Sequence, residues 1–127
     1  MLIVDDDPAI RMLCSINLQL EGLDVLEATN GHIGLEQARS TCPDLVLSDV
    51  MLPGLDGFQF AEALRRDERT SRVPLIFLSA ASGTANEARA HALGALAYLT
   101  KPFDPTALAA MVADVLAGAG AAAAGAD

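Results

Sequence analysis

The stretch Leu45-Val46-Leu47-Ser48-Asp49-Val50-Met51-Leu52-Pro53-Gly54-Leu55-Asp56-Gly57 decides how this chain is read. The apolar run Leu45 to Leu47 predicts a buried strand, and the strand ends on one carboxylate, Asp49. The segment Met51 to Gly57 carries Pro53, Gly54 and Gly57 and turns the chain. A charge at the end of a buried strand packs badly. In an open α/β sheet it is nevertheless well placed, because ligands bind outside the carboxyl ends of the strands.

Upstream, Met1-Leu2-Ile3-Val4 predicts a first buried strand, shorter than a typical one, which leaves the true start of the chain open. Asp5-Asp6-Asp7-Pro8 follows. Asp7 suits a helix N-cap and Pro8 the first helical position, so a helix runs from here to about Glu21 and stops at Gly22. Ile10, Leu13, Cys14 and Leu18 form its core stripe. Met12, Ile16 and Leu20 widen the apolar arc to roughly 240°, at about 100° per residue. Either neighbouring helices cover that surface or it is a docking face for a partner helix, and the exposure of Ile16 separates the two. Asp24 to Ala28 alternates polar with apolar and predicts a strand near an edge. Asn30-Gly31 then turns into a helix with Ile33, Leu35 and Ala38 on its core side, ended by Pro43.

Downstream, Phe58, Phe60, Ala61 and Leu64 mark a third helix, ending near Arg66. Leu75-Ile76-Phe77-Leu78 is a fourth strand and ends on Ser79. Ser82-Gly83-Thr84 leads into a helix over Ala85 to Leu93, closed by Gly94. Leu96 to Thr100 is a fifth strand, followed by Lys101-Pro102, whose bond is a candidate cis peptide. Asp104-Pro105 opens a last helix with Leu108, Met111, Val112, Val115 and Leu116 at helical spacing. Residues 118–127 are almost entirely Gly and Ala. They read as a linker or frayed tail beyond a domain of residues 1–117, with a weak helical extension as the alternative. Five strands alternating with five helices specify an α/β fold, a mostly parallel sheet covered on both faces. Right-handed crossovers put every carboxyl strand end on one edge.

Composition narrows the function. At 127 residues the chain makes one domain with a full core. Its net charge of −9 argues against direct nucleic-acid binding, which demands Lys and Arg. Nothing in it reads as a membrane span or a secretory leader. Cys14 and Cys42 read as small buried hydrophobes of a reducing, cytoplasmic compartment. His32 and His91 fall mid-helix and read as solvated, so Ser79 has no Ser–His–Asp arrangement to make it a nucleophile.

The shared edge would hold Asp5, Asp6, Asp7, Asp49, Ser79 and Lys101. Asp7 is explained as a cap; Asp5 and Asp6 are not. Acids crowded together without His or Cys recruit a hard cation, and Mg²⁺ fits best because it needs only one or two carboxylates plus phosphate oxygens. Lys101 is the only lysine of the chain. A compact ammonium at a strand end suits a phosphate oxygen or a carboxylate, and the Ser79 hydroxyl can donate to the same group. Together these residues predict phosphoryl transfer, with Asp49 as nucleophile forming an aspartyl phosphate, and Mg²⁺ and Lys101 neutralising charge.

At this point the chain resembles a known family, the receiver (phosphoacceptor) domain of two-component response regulators. The resemblance rests on Val4-Asp5-Asp6-Asp7-Pro8, on Ser48 to Gly57, on Leu78-Ser79-Ala80 and on Tyr98-Leu99-Thr100-Lys101-Pro102-Phe103, in that order, and covers residues 1 to about 117. It implies a flavodoxin-like three-layer (βα)5 fold with a five-stranded parallel sheet of order 2-1-3-4-5. It implies Asp49 as the phosphorylated residue, Asp5, Asp6 and Asp49 as metal ligands with the Met51 carbonyl, Lys101 as the phosphate-binding lysine, and Ser79 and Tyr98 as switch residues. It further implies a histidine kinase or histidine phosphotransfer protein as donor, and an effector domain or downstream protein as receiver of the signal. The signal would pass through the face of helix 4, strand 5 and helix 5. Ala95-Leu96-Ala97 stands where the family places acids before the tyrosine, and helix 5 lacks basic residues near its end. The resemblance therefore leaves a homodimer open without the charged interface of the winged-helix transcription factor subfamily. Met51 and Ala81 stand where the family tunes phosphoryl lifetime, and neither orients a water, so slow loss of the phosphoryl group is expected. The chain reads as a signalling switch and not a turnover enzyme. The alternatives are a degenerate, never phosphorylated receiver serving as an interaction module, and a Mg²⁺-dependent aspartyl-phosphate phosphatase. The phosphatase would need a second Asp at position 51, where this chain has Met.

Overall fold

Five parallel strands, β1 (Leu2–Val4), β2 (Leu26–Ala28), β3 (Val46–Asp49), β4 (Leu75–Ser79) and β5 (Ala97–Thr100), form one sheet in the order β2-β1-β3-β4-β5. They alternate with α1 (Pro8–Leu20), α2 (Gly31–Thr41), α3 (Gly57–Arg66), α4 (Thr84–Ala92) and α5 (Pro105–Gly125). This computed structural model describes residues 1–80, 84–101 and 103–125. Ala81, the Ser82-Gly83 lead into α4 and the Lys101–Pro102 bond lie outside them.

Both faces of the sheet are apolar because both are covered. With a side-chain period of two, Ile3, Leu47, Ile76 and Leu78 point to one face, where Cys14 and Leu18 of α1 and Leu108, Ala109 and Val112 of α5 pack on them. Leu2, Val4, Val46, Leu75 and Phe77 point to the other, against Ala38 of α2, Phe58, Phe60, Ala61 and Leu64 of α3, and Ala90 of α4. The edge position expected for the alternating strand is met by β2, where Leu26 and Glu27 are exposed. The winding reverses between β1 and β3, so a crevice opens outside their carboxyl ends.

The helix ends follow local chemistry. Asp7 caps α1, its side chain accepting the Ala9 N–H at 2.9 Å, with proline next. Asn30 caps α2 by accepting from Ile33 N–H at 2.8 Å. Asp56 and Gln59 make a reciprocal capping box on α3.

Several side chains differ from expectation. Leu13 is exposed, and Ser15 is buried on the core side of α1. Ile33 is exposed, and the face of α2 turned to β1 is held by Gly34, where a Cβ would meet Val4 Cγ2 at 2.8 Å. Cys42 is exposed at the left-handed C-cap of α2 (φ 47°), while Cys14 is buried as expected. Both thiols are free. Met12, Ile16 and Leu20 are 62%, 50% and 79% exposed, so no neighbouring helix covers them. The backbone of α5 runs on to Gly125, past the Gly118 boundary expected from composition. Alanine's helix propensity favours that continuation. No helix among the described residues is long and apolar enough to cross a membrane.

Candidate functional site

The crevice outside β1 and β3 gathers most of the residues singled out by their position at strand ends. β1 delivers Asp5, β3 ends on Asp49 and β4 on Ser79, all three buried. β5 delivers Lys101, whose backbone N–H donates to Ser79 O at 2.8 Å and continues the β4–β5 pairing one step past Thr100. Asp6 and Asp7 are exposed at the rim.

The two buried carboxylates are held in the same way. Asp5 Oδ1 accepts the Asp7 N–H at 2.9 Å, and Asp49 Oδ1 accepts the Met51 N–H at 3.1 Å. Each is an aspartate turned onto its own backbone two residues on. The remaining oxygens both face Lys101, whose Nζ donates to Asp5 Oδ2 at 2.9 Å and to Asp49 Oδ2 at 3.1 Å. One ammonium thus bridges two acids from different strands.

Burial pushes the Asp49 carboxyl above the ordinary range, and the Met51 N–H and the Lys101 charge reverse only part of that rise. Burial by itself would depress the Lys101 ammonium. The hydrogen bond to Asp5 and the charges of Asp49 and Asp5 outweigh it and leave the group raised. The pair therefore favours charge on the lysine more than on Asp49, because Asp49 is the more desolvated partner. Cys14 is pushed up to about 12, by burial first and by Asp5 second, and is inert as a nucleophile.

Asp5, Asp6 and Asp49 each offer a carboxylate oxygen, all within 4.8 Å of one another. Oxygen donors without nitrogen or sulfur suit a hard divalent cation, and the spread leaves room for water among its ligands. Excess negative charge fits the same conclusion: of the three clustered acids, Asp5 and Asp49 share one lysine and Asp6 is not paired with it.

Around the site, Tyr98 is half-buried on β5, paired in register with Phe77, and its ring centroid lies 6.4 Å from that of Phe77. The Phe77 ring meets Phe58 edge-on at 5.3 Å. Met51 is exposed beside Asp49. Gly57 is required at the start of α3, since a Cβ there would collide with the Asp49 carbonyl oxygen and Val50 Cα. His32 and His91 are exposed on their helices, as expected. The sequence reading missed Arg11, whose Nη1 donates to the Asp5 carbonyl at 2.7 Å while its Nε lies 3.5 Å from Glu27 Oε1. A lone arginine near the start of an apolar helix was the available signal.

Comparison with known proteins agrees with this geometry. The family described as "Response regulator receiver domain" matches residues 1–113. Among curated relatives, the chain is 45% identical over 115 residues to the DNA-binding dual master transcriptional regulator RpaA of Synechocystis sp., covering 91% of this chain and 48% of that protein. It is 39% identical to Protein PilH of Pseudomonas aeruginosa, covering 92% of this chain and 97% of that one. The solved chemotaxis protein CheY4 of Vibrio cholerae superposes with a TM-score of 0.84 at 32% identity, over 90% of this chain and 95% of that one. The chain spans about half the length of RpaA and most of the length of PilH. Fold, sheet order and family match together, and the chain belongs to the receiver domains of two-component response regulators.

Proposed function

We propose that this receiver accepts a phosphoryl group on Asp49, from the phosphohistidine of a histidine kinase or a histidine phosphotransfer protein, with Mg²⁺ at Asp5, Asp6 and Asp49. The observation that carries this reading is the Lys101 bridge, which ties the one carboxylate at the end of β3 to the acid at the end of β1. In the transfer, an Asp49 carboxylate oxygen forms the new P–O bond as the P–N bond breaks, and the bonding pair returns to the donor imidazole. Mg²⁺ when bound supplies positive charge to offset that on the phosphoryl oxygens. Lys101 gives the same support from the β5 side. It can exchange its bond to Asp49 for one to the phosphoryl group and keep Asp5, because an ammonium carries three donors. Ser79 can donate its hydroxyl to a phosphoryl oxygen, and Met51 can offer its carbonyl to the metal. Met51 offers no group to orient a hydrolytic water, so the acyl phosphate is long-lived.

The new charge draws Ser79 inward and turns Tyr98, changing the surface of α4, β5 and α5 that an effector domain or downstream protein reads. The donor docks on α1, where Met12, Ile16 and Leu20 form an uncovered apolar stripe beginning in the second turn of the helix that follows the Asp5–Asp7 acids. Such a stripe takes an amphipathic helix. A cytoplasmic location belongs to the same reading and is supported by the donor chemistry.

Incubation with Mg²⁺ and acetyl phosphate or beryllofluoride, beside Asp49→Asn, tests the assignment. Wild type should gain one adduct and the variant none; an equal adduct on both would remove Asp49 from its role.

A further inference from the structure

Helix α4 is held to the body by little core. From Ala85 to Ala92 one side chain, Ala90, is buried, and Asn86 is half-buried. Among the described residues two arginines add polar contacts, and they differ in kind. Arg65 reaches from α3 to the far end of α4, donating Nε to Leu93 O at 2.9 Å and Nη1 to Ser71 O and Val73 O at 3.2 and 2.8 Å. Its partners are backbone carbonyls and its guanidinium is partly buried, enough to lower its pKa, which makes a firmer clamp than an exposed ion pair.

Arg89 reaches the other way, one turn nearer the amino end of α4. Its guanidinium carbon lies 4.5 Å from the centroid of the Phe58 ring, and Nη2 is 3.4 Å from Glu62 Oε1 on α3. The Arg89 side chain is half exposed and that of Glu62 partly exposed, so these contacts are weak and exchange readily with water. Phe58 is buried and follows Gly57, which touches the Asp49 backbone. Its ring continues through Phe77 to Tyr98. One end of that aromatic row is joined through Gly57 to the backbone at Asp49, the other carries the tyrosine of β5, and Arg89 of α4 rests on the Phe58 ring.

We propose that Arg89 is a latch, a positioning residue that holds α4 on Phe58 and Glu62 in the unphosphorylated protein and opposes the movement of the output face. With Leu93 clamped by Arg65, release of Arg89 frees the amino half of α4 while its carboxyl end stays fixed. A contact made in one of two α4 positions lowers the population of the other, and with it the apparent affinity of any ligand that selects the other. The regulatory part of this proposal rests on the reading of Asp49 as phosphoacceptor.

Tyr98 is the only tyrosine and the chain has no tryptophan, so intrinsic fluorescence reports on that one ring. Wild type, Arg89→Ala, Arg89→Lys and Glu62→Gln would be titrated with beryllofluoride in Mg²⁺. Hydrogen exchange over residues 85–93 would be followed without it. The expected results for Arg89→Ala are faster exchange in that segment and a half-saturation about two- to fivefold lower, the range of an exposed cation–π contact. Arg89→Lys should restore most of both, and Glu62→Gln should give a smaller shift of the same sign. Unchanged exchange in Arg89→Ala overturns the latch. Faster exchange with unchanged half-saturation reduces Arg89 to a structural contact and overturns its regulatory role. If wild type gives no beryllofluoride response, the phosphoacceptor reading fails and the regulatory role with it. The exchange data then decide for or against the latch on their own.

Discussion

Lys101 and Asp5 stand 96 positions apart in the chain and meet at 2.9 Å, with Asp49 Oδ2 on the same ammonium at 3.1 Å. Removing the ammonium leaves two buried carboxylates facing each other without compensation. Lys101→Met should therefore destabilise the fold by about 3 kcal/mol, the scale of a broken buried pair. Mg²⁺ should restore a larger share of stability to the variant than it adds to wild type, because the cation replaces the missing charge. Thermal melts with Mg²⁺ or with EDTA check both points; equal Mg²⁺ effects on the two proteins would contradict the account. Since the Lys101 pKa is raised in the fold, its contribution is complete below the ordinary lysine value and is lost as pH rises through the raised one.

Asp49→Asn should behave in the opposite sense. The Asp49 pKa is raised by burial above that of the unfolded chain. Keeping it ionised at neutral pH thus costs stability, and the cost disappears as pH falls through the raised pKa toward the unfolded value. The neutral variant, with Lys101 still paired to Asp5, should melt higher than wild type at pH 7. The gap should narrow on acidification. A gap that widens toward low pH would mean that the ion pair outweighs desolvation at Asp49.

Gly57→Ala is predicted to be severe. The added Cβ meets the Asp49 carbonyl oxygen and the Val50 Cα, both backbone atoms that no rotamer change can move aside. Overpacking of this kind costs about 1–3 kcal/mol or more. The strain falls on the residue that carries the chemistry, so acetyl phosphate labelling should drop along with the melting temperature. A variant that melts and labels like wild type would show that the β3–α3 junction has slack.

Ile16→Asp separates docking from chemistry. Ile16 is half exposed and belongs to no core cluster, so stability should change by no more than about 0.5 kcal/mol. Labelling by acetyl phosphate should be unchanged, whereas transfer from a histidine donor should slow by at least about tenfold, as expected for a charge placed in an apolar contact. Equal slowing of both reactions would place the effect at Asp49 and not at the α1 surface.

Much of the fold could be read directly from residues. Leu45 to Leu47 and Leu75 to Leu78 are continuous apolar runs because both faces of the sheet are covered, and Asp7-Pro8 and Asn30-Gly31 mark helix starts by capping chemistry. Individual helix faces were less legible. Leu13 and Ile33 have the character of core residues and are exposed, while Ser15 and Gly34 face inward. Periodicity states that a face exists; the distance of closest approach to the sheet decides which side chain that face can hold.

The same division holds for the site. Sequence alone determined the order of strands and helices, and with it the delivery of Asp5, Asp49, Ser79 and Lys101 to one edge, because parallel strands joined by right-handed crossovers end on the same side. It could not determine that one ammonium bridges Asp5 and Asp49, that Arg11 grips the Asp5 carbonyl, or that Arg89 lies on Phe58. Nor could it decide whether the stripe of Met12, Ile16 and Leu20 would be covered. Those are contacts between residues far apart in the chain, set by how closely the helices approach the sheet. Local pattern carries information over a few turns, whereas such contacts are fixed only when the whole core closes.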